Sequence, residues 1–217
     1  MIYKTLIFDL DGTLIHSAPD LAAALNHALV AVGRAQVDLP TVISFIGNGV
    51  EKLVERGLHA TGAYSDEVFT ETLEYFMTYY EHNMTVLTRP YPGVVTALEA
   101  LKSSGAVLGI CTNKPTAPAR AICDDLNLTR FFDVICGAEP NIAKKPDAAP
   151  LLGCVAQMEG RPDQTLYIGD SSIDYHTAQN ANITFRLFTQ GYLNETLPSL
   201  PEANRFSDWA HHGIEGL

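Results

Sequence analysis

Five short apolar runs constrain the fold of this 217-residue chain more than any other feature. They are Leu6–Phe8, Val107–Cys111, Phe132–Cys136, Thr165–Ile168 and Thr184–Phe188, and after Tyr91 segments of helical spacing separate them. Strands that alternate with helices imply a parallel sheet with right-handed crossovers. Between the first run and the second, residues 17–83 show helical periodicity only. The spacing predicts helices from Ser17, over 41–45, over 50–58 and over 65–81, with Gly47-Asn48-Gly49 as a loop. Ser17-Ala-Pro-Asp20 has the form of a capping box, and Gly33 can supply the stop of the helix that follows. The expected fold is therefore α/β: a Rossmann-like parallel sheet core built from residues 1–16 and 84–217, with an all-helical insertion, 17–83, after the first strand.

Composition narrows the partners. A hydrophobic content of 47% is ample for a core, and a net charge of -11 with no run of Lys or Arg argues against nucleic acid or anionic membrane as a partner. Attraction to an anionic ligand must then be local. The four cysteines, at 111, 123, 136 and 154, form no CxxC pair and read as reduced thiols. The start, MIYKTLIF, has no basic stretch and long apolar segment before a cleavage site, and no run approaches a membrane span, so a cytoplasmic location is expected.

The strand ends carry the chemistry. Asp9 and Asp11 follow the first apolar run and, two apart on a strand, point to one side, with Gly12 free to turn sharply and Thr13 adding a hydroxyl. Two carboxylates held together call for a cation, a shared proton or a shared reaction. Later runs lead into Thr112-Asn113, a loop with Lys145, and Gly169-Asp170-Ser171-Ser172-Ile173-Asp174. Ligands of open parallel sheets bind at the carboxyl ends of the strands, so these sets can converge. Their carboxylates suit a hard cation such as Mg2+, and the hydroxyl, backbone donors and amine suit phosphoryl oxygens. A phosphate dianion beside an ionised Asp9 is repelled by roughly 4 kcal/mol per charge pair at 4 Å and an effective dielectric of ~20. Mg2+ and Lys145 would offset that.

Asp9-Leu-Asp11-Gly-Thr13, Thr112-Asn113, Lys145-Pro146 and Gly169-Asp170-Ser171-x-x-Asp174 resemble, in order, the four motifs of the haloacid dehalogenase superfamily. Ser17-Ala-Pro-Asp-Leu, Ile46-Gly-Asn-Gly49, Leu53-Val-Glu-Arg56, Tyr91-Pro-Gly93 and Cys111-Thr-Asn-Lys-Pro115 are similar to its phosphoglycolate phosphatase subgroup. The resemblance implies a haloacid dehalogenase-like core with a helical cap domain, and hydrolysis of a small phosphorylated metabolite, 2-phosphoglycolate to glycolate and phosphate. It makes Asp9 the nucleophile that forms an aspartyl-phosphate and Asp11 the acid and base. Asp9, the Asp11 carbonyl and Asp170, supported by Asp174, would hold Mg2+, while Gly12, Thr112, the Asn113 backbone and Lys145 would bind the phosphoryl group. Gly47-Asn48-Gly49 would form a cap loop directed at the leaving group, with Lys52 or Arg56 as carboxylate partners. Hydrolysis of another metabolite such as a sugar phosphate, phosphosugar mutation and a non-enzymatic phospho-accepting receiver are the alternatives. His16 stands where many relatives carry an acid, which bears on the hinge into the cap.

Overall fold

A computed structural model of the chain describes residues 3–140, 142–193 and 195–210. The two ends of the expected core span, 1–2 and 211–217, lie outside the described residues. The chain divides into two compact units, one of Met1–His16 with Pro90–Leu217 and one of Ser17–Arg89.

In the first unit, strand β1 (Thr5–Phe8) is followed by the short β2 (Ile15–His16), and the chain re-enters the unit at β3 (Arg89–Pro90). β4 (Val107–Pro115), β5 (Val134–Ala138), β6 (Thr165–Gly169), β7 (Thr184–Phe188) and β8 (Arg205–Phe206) complete the set. The main sheet has the order β5-β4-β1-β6-β7-β8, and every pairing in it is parallel. The chain builds outward from β1 first through β4 and β5, then on the other side through β6, β7 and β8. β1 thus lies where the winding direction reverses, flanked by the two strands that end in Thr112-Asn113 and in Asp170. Neighbouring strands lie about 4.8 Å apart, so topology alone makes those three ends neighbours.

The strands are apolar because both faces are covered. Ile7, Cys111, Leu151, Cys154, Val155, Tyr167, Ala178 and Phe185 belong to one buried cluster. Phe8 packs against Phe132 and Trp209, and Phe188 against Phe206 and Trp209. Helices α5 (Val94–Ser103), α6 (Thr116–Asp125), α7 (Ala149–Gln157) and α8 (Ser172–Asn180) connect the strands.

The second unit holds α1 (Ala18–Ala31), α2 (Leu39–Phe45), α3 (Val50–Thr61) and α4 (Asp66–His82) around Leu25, Leu29, Val54, Leu58 and Phe76. Gly33 has φ +73, and the N–H groups of Gly33 and Arg34 reach the carbonyls of Val30 and Leu29, a Schellman ending of α1 as the sequence predicts. The capping box predicted at Ser17 does not form. The Ser17 side chain makes no cap hydrogen bond, and the Asp20 carboxylate instead accepts from the N–H groups of Leu87 and Thr88 and from the Thr88 hydroxyl, at 2.7–3.0 Å. Those bonds tie residues 87–88 to α1. The return from the insertion therefore falls at Pro90 rather than at residue 84. A capping box does exist elsewhere, from Ser171 to Asp174 at the start of α8.

Candidate active site

All the sequence-selected residues of the strand ends lie in the first unit. Asp9 leaves β1 with its N–H bonded to the Ile168 carbonyl of β6 at 2.9 Å, which fixes where its side chain starts. Lys145, in the loop between β5 and α7, is 4% exposed. Its ammonium bonds Asp9 Oδ1 at 2.8 Å, Asp174 Oδ1 at 2.6 Å, the Tyr167 hydroxyl at 2.8 Å and the Cys111 carbonyl at 3.2 Å. The Lys145 backbone is held as firmly: its N–H donates to Asn113 Oδ1 at 2.9 Å, and Asn113 Nδ2 donates to its carbonyl at 3.0 Å. The Asn113 side chain is thus committed to Lys145.

Asp170 receives the Thr13 hydroxyl on Oδ1 at 2.5 Å and the Tyr192 N–H on Oδ2 at 2.7 Å. Asp174 turns its second oxygen to the Ser171 hydroxyl and to the N–H groups of Ser171 and Asp170. Carboxylate oxygens of Asp9, Asp170 and Asp174 come within 4.8 Å of one another, the geometry of a cation site. Asp11 stands apart from this group in its side chain: both its oxygens accept from Lys114 Nζ, at 3.1 and 2.9 Å.

Electrostatics follow from burial and proximity. Burial, against the pull of Lys145 and with the push of Asp174, raises the Asp9 carboxyl to about 6. Burial together with Asp174 and Asp9 carries Asp170 well above the ordinary carboxylate range. Burial would raise Asp174 too, but the Lys145 ammonium and the hydrogen bonds from Lys145, Ser171 and Tyr167 outweigh it and hold this carboxyl low. Burial opposes charge on Lys145, and Asp174 and Asp9 more than offset it, so the ammonium persists at any physiological pH. Three carboxylates face one ammonium. With all three carboxyls ionised, as a bound cation would favour, two negative charges would remain beyond the ammonium, so the donor set fits a divalent ion.

Glycine is required at position 12. Its φ is +90, and a Cβ there would run into the Asp170 carboxylate and the Tyr192 ring. Thr112, 5% exposed, accepts the Lys114 N–H on its hydroxyl oxygen at 3.2 Å, which leaves the hydroxyl proton to donate. The predicted end of β4 at Cys111 is exceeded: the strand runs to Pro115 with a register break after Cys111, so Thr112, Asn113 and Lys114 alternate in direction.

In the second unit, Gly47, Asn48 and Gly49 form the α2–α3 loop, with φ +121 and +92 at the glycines. Arg56, expected as a carboxylate partner, donates to the Phe45 carbonyl and to Asn48 Oδ1, both at 2.7 Å, and so pins this loop. Lys52 pairs with Glu55 on the exposed face of α3. Sequence reasoning gave no role to Lys114, Tyr167 or Tyr192. Lys114 alone was accessible, as a cation two residues after Thr112 on the same strand face. The Tyr167 hydroxyl hides inside a strand, and Tyr192 lies in a tail without periodicity. His16 Nδ1 lies 3.0 Å from the Tyr192 hydroxyl and 3.5 Å from that of Tyr91, and burial lowers its pKa.

Known proteins are similar to this chain in sequence and in fold. Residues 6–188 match the family model described as haloacid dehalogenase-like hydrolase. The chain is 42% identical over 208 residues to a phosphoglycolate phosphatase of Cereibacter sphaeroides, covering 95% of this chain and 93% of that one. A phosphoglycolate phosphatase of Aquifex aeolicus is 36% identical, with 90% of each chain covered. Among solved structures, one described as a predicted phosphoglycolate phosphatase from Haemophilus somnus 129pt superposes with a TM-score of 0.88 at 32% identity, over 97% of this chain and 96% of that one. By the extent of these matches the chain belongs to the haloacid dehalogenase-like hydrolases.

Proposed function

We propose that this chain hydrolyses a small phosphate monoester, 2-phosphoglycolate, in a Mg2+-dependent reaction through an aspartyl-phosphate on Asp9. The observation that carries the reading is the setting of Asp9: one carboxylate oxygen is bonded to a buried ammonium, and the group lies beside two further carboxylates at a strand end. The relatives named above supply the substrate. Family phosphatases generally use a divalent metal, and here Asp9 and Asp170, with Asp174 behind them and Asp11 through its main chain, would hold Mg2+. When bound, the ion neutralises charge on the phosphoryl oxygens.

Lys145 holds Asp9 Oδ1 and leaves the other oxygen to attack phosphorus. Asp11 protonates the departing glycolate oxygen, then takes a proton from the water that attacks the aspartyl-phosphate. Because Lys114 bonds both Asp11 oxygens, it must release one of them whenever Asp11 carries the proton. The Thr112 hydroxyl, the backbone N–H groups near Gly12 and Asn113, and Lys145 stabilise the transferred group. The inserted unit, Ser17–Arg89, is the cap that selects the leaving group, with the Arg56-pinned loop at 47–49 as its reading element.

A kinetic panel of phosphate esters tests this directly. Phosphoglycolate is expected to lead in kcat/KM, Asp9→Asn to lower kcat by at least about a thousandfold, and excess chelator to abolish turnover. A sugar phosphate ranking far above phosphoglycolate would overturn the substrate, and Asp9→Asn with near-normal rates would overturn the nucleophile.

A further inference from the structure

Tyr167 is fully buried in the middle of β6, in register with Ile7 of β1 and among the apolar side chains of the core. Its ring packs near Phe185, with centroids 6.1 Å apart, and a phenylalanine would serve that packing equally. The hydroxyl is another matter, because its partners stand at the site. It lies 2.8 Å from Lys145 Nζ, 2.8 Å from Asp174 Oδ1 and 3.0 Å from the Cys111 carbonyl.

The protons can be counted. The Lys145 ammonium carries three and the hydroxyl one, and four oxygens accept them: Asp9 Oδ1, Asp174 Oδ1, the Cys111 carbonyl and the hydroxyl oxygen itself. Asp174 Oδ1 is nearer the ammonium, at 2.6 Å against 2.8 Å from the hydroxyl. The Cys111 carbonyl is nearer the hydroxyl, at 3.0 Å against 3.2 Å from the ammonium. The distances thus give the hydroxyl proton to Cys111 and the three ammonium protons to Asp9, Asp174 and Tyr167.

We propose that Tyr167 is a positioning residue for phosphoryl transfer, its hydroxyl holding the Lys145 ammonium toward Asp9 by taking up the Cys111 carbonyl. This rests on the phosphoryl reading above, whatever ester carries the group. Without the hydroxyl the third ammonium proton passes to the Cys111 carbonyl, and the ammonium moves toward β4 and away from Asp9 Oδ1. Asp9 then loses the contact that aims its other oxygen, and the transferred group meets a displaced donor.

The test compares the full-length wild-type chain with Tyr167→Phe in the presence of Mg2+. Turnover is read with p-nitrophenyl phosphate, and binding of orthovanadate, a mimic of the transferred phosphoryl group, by calorimetry. Expected are a kcat lowered about 10-fold and a vanadate Kd raised by a similar factor. A merely structural role would lower kcat and the number of binding sites together and leave Kd where it was, which would overturn the assignment. In the Lys145→Met background the added Tyr167→Phe should change Kd by less than about twofold, and a further tenfold loss there would overturn it too. Tyr167→Met, which also lacks the hydroxyl, should match Tyr167→Phe; if neither variant folds, the hydroxyl serves the framework and the proposal fails. A wild-type chain that neither turns over the ester nor binds vanadate would overturn the phosphoryl reading, and the proposal with it.

Discussion

Two opposing influences act on Asp9: burial beside Asp174 disfavours its charge, and the Lys145 ammonium favours it. Burial wins in the metal-free protein, and the carboxyl rises from 3.8 to about 6. The folded state then holds a proton that the unfolded state has released between those values. The contribution of Asp9 to stability is accordingly complete below the lower value and is lost as pH rises to the upper one. The loss corresponds to about 3 kcal/mol for a shift of this order. Metal-free Asp9→Asn should therefore be more stable than the wild-type chain at pH 7.5 and close to it at pH 4, measured by denaturant midpoints at both values. Lys114 gives a second residue-scale expectation. Lys114→Met frees Asp11 from its ion pair and, if Asp11 is the acid and base as proposed, should lower kcat by about 10- to 100-fold with KM little changed, because the pair would orient that carboxyl. Steady-state kinetics on one ester separates the two parameters.

Among the elements, Asp20 marks how a local pattern can mislead. Read along the chain, Ser17 and Asp20 have the spacing of a capping box. In the fold, Asp20 is 2% exposed and ties α1 to residues 87–88 over a separation that no periodicity reveals. Asp20→Ala would leave three buried or half-buried donors unmatched and should cost about 2–4 kcal/mol, read as a lowered midpoint of thermal unfolding. The strands and helices themselves were legible wherever an apolar run or helical spacing lasted five residues or more, as in β7, whose predicted bounds match those found. What escaped was short or set by contact. β8 has two residues, and Trp209, which packs on Phe8 and Phe188, sits in a segment with no repeat to announce it. Likewise Asp9, Thr112 and Asp170 stand out in the sequence because polar groups follow apolar runs there, whereas Lys145 and Asp174 stand out only through the family's motifs. Tyr167 does not, since an aromatic ring inside a strand reads as core until its hydroxyl is seen between Lys145 and Asp174.

For the whole molecule, charge and stability are linked through the acidic cluster. A chain of net charge -11 concentrates three buried carboxylates around one ammonium, and a divalent ion that binds there stabilises the folded state by mass action. At a hundred times its dissociation constant the gain is about 2.7 kcal/mol, or roughly 5–10 °C in melting temperature for a chain of this size. A thermal titration with Mg2+ should show that rise in the wild-type chain and little of it in Asp170→Asn.

Lys145 is anchored at both ends, its amide by Asn113 and its ammonium by four oxygens. The potential at Asp9 is consequently established when the chain folds and does not await a substrate. Little reorganisation of this charge accompanies turnover, and the same prepared field meets any phosphoryl group whatever ester carries it. A change of leaving group then leaves the chemistry at the sheet untouched, and the range of esters accepted can drift through substitutions far from Lys145 while the rate of the phosphoryl step is retained.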